Sequence, residues 1–395
     1  MRRIDLKTVQ AAHLNTIRNI NRQIVLNYVR EKEPISRATI AREMALQRST
    51  VSEIVEALTA EGLIEEIGEG QSTGGRRPTL LQLRAAGAMA VGVNITPTYT
   101  TVATSDLGGR LVEQQTFPTD SDPERLLGQI IETIRQFTEK ASIEGVGISL
   151  PGLVDPGTGQ VIFVPYFKWR NWPIAETISR RTGLPVTIDN DANAVALAEL
   201  WFGRPEVREA RDFILVLVAE GVGTGIIFDG QVYRGECGAA GEFGHMIVGA
   251  NAPVACSCEN DDCWEAFASE RAAMARYVNL SPATRTSNVI DFETLIDRAL
   301  AGEGDARAAL TETARYLSIG ISNLVVGFSP EAVVVNGAIT RAWPLIEKAL
   351  TEKIERSVRR GLPSARILPS TLSGDPTLMG AFSLVLTSKF AAAAA

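Results

Sequence analysis

Three observations predict an α/β chain with an N-terminal winged helix-turn-helix and a two-lobed actin-like (ribonuclease-H-like) body. Residues 5–60 carry three stretches of helical apolar spacing, followed by two short strand-like runs. Residues 86–200 read strand, strand, strand, helix, strand, helix, and a second run of strands begins at Phe213. A chain of 395 residues is too long for one ordinary core.

Taken in order, residues 5–31 form the first helix, with Ile17, Ile20, Ile24, Tyr28 and Val29 on one face, and Pro34 stops it. Ser36 is placed to cap a short helix running to Met44. After the turn Ala45-Leu46-Gln47, a third helix spans about Arg48 to Ala60. Val51, Ile54, Val55 and Leu58 fall on its inner face, and Gly62 ends it. Leu63–Ile67 and Leu80–Leu83 are strands around the loop GEGQSTGGRRP. Three helices and a β-hairpin make a winged helix-turn-helix over residues 1–85.

The exposed residues of that module suit nucleic acid. Gln47, Arg48, Ser49, Thr50 and Ser52 lie at the start of the third helix, the part of such modules that enters a major groove. Arg76 and Arg77, between glycines and Pro78, suit a narrow minor groove. The alternative is a module used only for protein contacts. Charge leans towards DNA: residues 1–85 carry 13 Lys and Arg against 10 Asp and Glu, while the rest carries 26 against 36.

The body, residues 86–395, divides into lobe one (about 86–200 plus a C-terminal helix) and lobe two (about 201–375). Ala88–Ile95, Thr100–Ser105 and Leu111–Thr116 form an antiparallel meander, and a helix follows over Pro123–Lys140. Gly145–Leu150 is a buried strand, and Pro151–Asp155 a turn. A helix spans about Ile174–Thr182. Val186–Ile188 then runs into Asp189-Asn190-Asp191-Ala192-Asn193, which opens a helix through Leu200. Such an order is the plan shared by sugar kinases. In lobe two, Phe213–Gly235 reads strand, glycine turn, strand, turn, strand. Helices fill Ala266–Val326, Ala332–Val335 is a buried strand, and a helix starts at Ala342.

Composition excludes several classes. The longest apolar run, Phe213–Ala219, is far short of a membrane span. The first ten residues have charges but no apolar core of a secretory signal, and the cysteines cluster without a disulfide-like distribution. A cytoplasmic protein with no membrane partner is expected.

The stretch Gly241–Glu265 is the densest in chemistry. It holds His245, Cys256, Cys258 and Cys263 in the order His-x10-Cys-x-Cys-x4-Cys. A neutral imidazole and three thiolates make a closed tetrahedral set for zinc, of the structural kind. The alternative is a set of buried free thiols. The intervening Asn, Asp, Gly and Pro read as a loop, which favours the metal. Glu242 and Glu265 flank the cluster.

Several motifs together resemble the ROK family of repressors and sugar kinases. The run Val218–His245, with Gly221, Gly223, Gly225, Gly235 and Gly244-His245, is similar to that family's signature. The cysteine cluster, the Asp189–Asn193 segment and the fused winged helix are similar too, and the likeness covers nearly the whole chain. Within the family, the wing IGEGQSTGGRRP, the run CWEAFASE and Ile367-Leu368-Pro369-Ser370 look most like the xylose repressors.

The resemblance implies a sugar pocket between two lobes, with Gly152, Asn190, Asp191, Glu242, His245 and Glu265 at the matching positions. Carboxylates and an Asn suit adjacent sugar hydroxyls, and sites that satisfy such groups discriminate strongly. A metal-held His245 keeps its second ring nitrogen for a hydroxyl. In the family's kinases the residue matching Asp191 is the general base; capping the next helix is the alternative role. Tyr166-Phe167 departs from the family's usual Asn-Leu pair at that wall.

The phosphate-binding turn expected after the first body strand is Asn94-Ile95-Thr96-Pro97-Thr98, without the Asp and glycines of the kinases and with one amide lost to Pro97. Asp106-Leu107-Gly108-Gly109 looks like that motif but reads as a hairpin turn. Asn336-Gly337-Ala338 stands where kinases tend to have two glycines, near the expected adenosine site. The chain is therefore expected to be no enzyme. The implied function is a repressor that binds operator DNA as a homodimer or higher oligomer and answers to a small-molecule sugar, xylose by resemblance. An ATP-dependent sugar kinase and a scaffold for another protein are the other readings.

Overall fold

The computed structural model describes residues 14–70, 77–84, 89–281, 290–357 and 364–390. The head comprises α1 (Leu14–Lys32), β1 (Ile35–Ser36), α2 (Arg37–Glu43), α3 (Arg48–Ala60), β2 (Ile64–Glu69) and β3 (Thr79–Leu83). Ser36 accepts from the Thr39 amide and caps α2, and Gly62, at φ +76°, turns the chain out of α3. Val51, Ile54, Val55 and Leu58 are all buried, so the helical period read in the sequence is the packed face. The hairpin β2–β3 is joined by β1, giving the order β1-β3-β2.

The first lobe holds β4 (Met89–Ile95), β5 (Tyr99–Asp106), β6 (Leu111–Pro118), α4 (Pro123–Thr138), β7 (Ile143–Leu150), β8 (Leu153–Asp155), β9 (Gln160–Val164), β10 (Trp169–Trp172), α5 (Ile174–Thr182), β11 (Val186–Asn190) and α6 (Asp191–Phe202). Its main sheet runs β11-β7-β4-β5-β6, with the meander β4-β5-β6 antiparallel and β4, β7 and β11 parallel. Asp106-Leu107-Gly108-Gly109 is a hairpin turn: Asp106 Oδ1 accepts from the amides of Gly108 and Arg110. The expected turn at Pro151–Asp155 instead feeds a second sheet, β10-β9-β8. Its strands are three to five residues long, too short for any alternating run to mark them.

The second lobe follows with α7 (Pro205–Arg208), β12 (Phe213–Val218), β13 (Val222–Phe228), β14 (Gln231–Val232), α8 (Trp264–Ala268), α9 (Glu270–Leu280), α10 (Phe292–Leu300), α11 (Gly304–Phe328), β15 (Ala332–Asn336), α12 (Trp343–Ser357), β16 (Arg366–Pro369) and α13 (Pro376–Phe390). Its sheet runs β14-β13-β12-β15-β16. The last helix, α13, returns to the first lobe and packs on β4, β7 and α6.

Glycines set the closest approaches. A Cβ at Gly225 would lie 2.5 Å from the Ala192 carbonyl, and one at Gly147 would lie 1.8 Å from that of Ala381. The glycine-rich β13 is thus what lets α6 lie against the second lobe's sheet. The head is not isolated: Leu107 and Leu386 belong to its core cluster, and the Arg30 guanidinium lies 4.0 Å over the Trp201 ring of α6.

Candidate functional site

Between the lobes lies a cavity of about 230 Å³, and Gly152, Asn190, Asp191, Glu242, His245 and Glu265 all line it. They come from four places in the chain. Gly152 follows β7, Asn190 ends β11, Asp191 starts α6, Glu242 and His245 sit on a single 3-10 turn (Glu242–His245), and Glu265 opens α8.

The β11–α6 junction orders the first-lobe wall. Asn190 is the helix cap: its Oδ1 accepts from the amides of Ala192 and Asn193, and its Nδ2 donates to the Gly152 carbonyl at 3.0 Å. Much of its hydrogen-bonding capacity is therefore spent on the fold. Asp189 is buried and also structural, taking Arg234 Nη2 at 2.7 Å and Asn193 Nδ2 at 3.0 Å. Asp191 is only half-buried, and its Oδ1 accepts from the Ala192 amide at 2.8 Å. Desolvation in the cavity wall pushes its carboxyl up to about 6. The Ala192 amide opposes that rise and Glu242 adds to it.

The second-lobe wall hangs on the cysteine loop. The donor atoms of His245, Cys256, Cys258 and Cys263 all lie within 4.8 Å of one another. His245 Nδ1 is 3.3 Å from Cys256 Sγ, which is 3.2 Å from Cys258 Sγ; Cys258 Sγ is 3.6 Å from Cys263 Sγ. Zinc–ligand bonds of about 2.0–2.3 Å give tetrahedral edges of roughly 3.3–3.8 Å, close to the three separations above, so three soft thiolates and one imidazole could hold such an ion once the widest pair draws in. His245 turns Nδ1 to the sulfurs and Nε2 to the Glu242 carboxylate, 3.6 Å away. Glu265 Oε1 accepts from Ser257 N and Oγ, each at 3.2 Å, and from the Cys256 thiol at 3.0 Å. The two Ser257 donors remain when Cys256 is a metal-bound thiolate. Burial raises the Glu242 carboxyl, His245 pulls it down and Glu265 raises it again.

Sequence reasoning missed Phe163, Thr224, Ser257 and Arg234. They become visible only when the loop and the two lobes meet. Tyr166, singled out as a departure from the family pattern, lines the cavity, whereas Phe167 turns away and stacks on Trp169 at 4.3 Å.

Next to the cavity is a cleft of about 300 Å³ lined by Asn94–Tyr99, Pro151, Tyr166, Asp191, Glu220, Glu270 and Thr377, among others. Its turn has no amide directed outwards for phosphate. Thr96 N donates to the Tyr99 carbonyl, Thr96 Oγ1 accepts from the amides of Thr98 and Tyr99, and Pro97 has none. Asn94 donates to Asp375 Oδ2 at 3.0 Å, a structural use. No Lys or Arg is among the cleft's lining residues. Glu270 is pushed up to about 7 by burial and then by Glu220.

On the head, Gln47, Arg48 and Ser49 are exposed and Thr50 and Ser52 half-buried at the start of α3, which carries no side-chain cap. Arg77 is exposed; Arg76 lies outside the described residues. Among the described residues no helix is long and apolar enough to cross a membrane.

Comparison with known proteins gives two family matches: the ROK family over residues 90–388 and a winged helix-turn-helix DNA-binding family over residues 18–65. The chain is 33% identical over 387 residues to a xylose repressor of Caldicellulosiruptor bescii, covering 94% of this chain and 96% of the relative. It is 30% identical over 395 residues to the transcriptional dual regulator NagC of Escherichia coli, covering 95% and 94%. A crystal structure of a ROK family transcriptional regulator, a homologue of the Escherichia coli MLC protein, superposes with a TM-score of 0.80 at 26% identity, covering 95% of this chain and 97% of that one. A ROK glucokinase from Streptomyces griseus, solved with glucose and AMPPNP, matches 75% of this chain and 98% of its own, with a TM-score of 0.67 at 29% identity.

Proposed function

The chain belongs to the ROK family, and from that premise we propose that it is a sugar-responsive repressor whose effector is an aldose, with D-xylose the first candidate. The DNA-binding part is residues 1–85 and the sugar-binding part residues 86–395. The observation that carries the reading is the convergence of Asp191, Glu242, His245 and Glu265 on one cavity at the junction of the lobes, under a winged helix-turn-helix. Three carboxylates offer paired acceptors to adjacent hydroxyls, and His245 Nε2 faces the same space. The xylose repressors among the relatives favour xylose as effector.

Zinc is the ion we assign to His245, Cys256, Cys258 and Cys263. It would fix the imidazole orientation and the Ser257–Glu265 contact, a structural duty. Operator DNA would meet Gln47, Arg48, Ser49, Thr50 and Ser52 in the major groove, and Arg76 and Arg77 in the minor groove. A dimer would set two such heads on two half-sites about one or more helical turns apart. Sugar acts on DNA only through a difference in affinity between the two arrangements of the lobes; release of DNA is the expected sign.

Phosphoryl transfer is not part of this proposal. The turn at Thr96–Tyr99 spends its amides on itself, and the cleft beside Asp191 carries Glu220 and Glu270 with no Lys or Arg among its described lining residues. Calorimetric titration with D-xylose, D-glucose and N-acetylglucosamine, each with and without ATP and magnesium, tests the whole reading. Sugar binding indifferent to ATP is the expected result. Sugar-dependent turnover of ATP would restore the kinase.

A further inference from the structure

We propose that Tyr166 is the size filter of the cavity: its ring closes the end that adjoins the neighbouring cleft, so that an aldopentose fits while an aldohexose must displace the ring. The inference rests on the reading of the cavity as a sugar site and names which sugars it takes.

Tyr166 lines both the cavity of about 230 Å³ and the cleft of about 300 Å³, together with Pro151, Asp191, Leu217, Ala219 and Gly221. It is the one aromatic ring in that shared wall. Several other walls are backbone packed against backbone or carboxylate. A Cβ on Gly152 would lie 2.4 Å from the Phe163 carbonyl. One on Gly221 would lie 2.7 Å from Glu265 Oε2, and one on Gly241 would lie 2.7 Å from the Thr224 carbonyl. An extra carbon and hydroxyl gain no room on those sides, because interiors packed this closely yield little. Beyond Tyr166 there is open volume.

Tyr166 itself is 39% exposed, and the loop that carries it is fixed by its neighbours. Phe167 stacks on Trp169, Trp169 Nε1 donates to the Ser121 carbonyl at 2.8 Å, and the Lys168 amide donates to the Pro165 carbonyl at 3.3 Å. These contacts anchor the loop on both sides of Tyr166. The Tyr166 hydroxyl makes no hydrogen bond among the described residues, so it is open to a ligand. Burial, then Glu265 and Glu220, push its phenol up to about 12, which keeps it a donor at neutral pH.

The test measures D-xylose and D-glucose affinity by calorimetry for the unaltered zinc-loaded protein and for Tyr166→Ala, Tyr166→Asn and Tyr166→Phe, with circular dichroism reporting folding. One methylene in a fitted pocket is worth roughly 10–200-fold. The unaltered protein is therefore expected to favour xylose by about tenfold or more. In Tyr166→Ala and Tyr166→Asn the preference should shrink to about threefold or less, chiefly by tighter glucose binding. Tyr166→Phe should keep the preference and weaken both sugars, since the ring stays and the hydroxyl goes. A preference unchanged in the truncated variants, or no preference in the unaltered protein, overturns the role of Tyr166 and leaves the sugar site standing. Binding of neither sugar by the unaltered protein overturns the site reading and the filter together. Should Tyr166→Ala not fold, Tyr166→Asn and Tyr166→Phe still separate ring from hydroxyl.

Discussion

Replacing Asp191 with Asn separates what this carboxylate costs the fold from what it gives the ligand. Burial raises its pKa from about 3.8 in the unfolded chain to about 6 in the folded protein. A raised pKa means the neutral acid is preferred in the fold. The associated stability is therefore fully present below the unfolded value and is lost as pH rises through 6. The rise from 3.8 to about 6 caps the cost of the ionised form at roughly 3 kcal/mol. Solvent at the cavity mouth reduces it, because Asp191 is only half-buried. Asp191→Asn, permanently neutral, should then be more stable than the unaltered protein at pH 8, by up to about that amount, with the gap closing towards pH 4. Binding should move the other way. Hydrogen bonds to a charged group are worth about 1.5–3 kcal/mol, so the variant should lose roughly 10- to 150-fold in xylose affinity at pH 7.5. If only the ionised form binds, affinity of the unaltered protein falls about tenfold between pH 7.5 and pH 5, and that of the variant does not. Urea titrations and calorimetry at three pH values measure both. Unchanged sugar affinity in Asp191→Asn, with metal content intact, would refute the placement of Asp191 at the sugar.

Two further perturbations follow from the same geometry. Cys258→Ser removes one of four donors, so zinc measured by atomic emission should fall well below one per chain. Thermal stability should drop, since metal binding energy is folding energy, and xylose affinity should weaken because Glu265 and His245 lose their anchor; full metal content and full response would refute the assignment. Arg77→Ala should weaken operator binding, most at sites whose minor groove is narrow and A·T-rich, and lower the slope of log affinity against log salt by about 1, measured by anisotropy, with xylose affinity unchanged.

Much of this was legible in the chain. The α3 period is visible because four apolar residues at i, i+3, i+4 and i+7 have one way to be buried together. The cysteine loop is visible because one His and three Cys that could hold a metal are chemically distinctive and here close in sequence. The sheet β10-β9-β8 was not legible, since its strands are three to five residues long and carry no sustained alternation. Nor was the division of labour at Asp189-Asn190-Asp191. All three are helix-capping types, and only the arrival of Arg234 at Asp189 and of the Gly152 carbonyl at Asn190 leaves Asp191 facing the cavity.

Local pattern in the chain carries the longer helices and strands, the inner face of α3, the clustering of His245 with three cysteines, and a turn at Asn94–Thr98 that has neither Asp nor Gly. Those properties are local: periodicity, capping and ligand chemistry act over a few residues. The folding of the two lobes brings residues some 110 positions apart, from Gly152 to Glu265, onto one cavity and sets Tyr166 between that cavity and the cleft. It also decided that the head packs into the first lobe through Arg30, Trp201, Leu107 and Leu386. These depend on how two lobes close upon each other. The cause is the summed burial of faces whose partners lie far away in the chain, which no local pattern encodes.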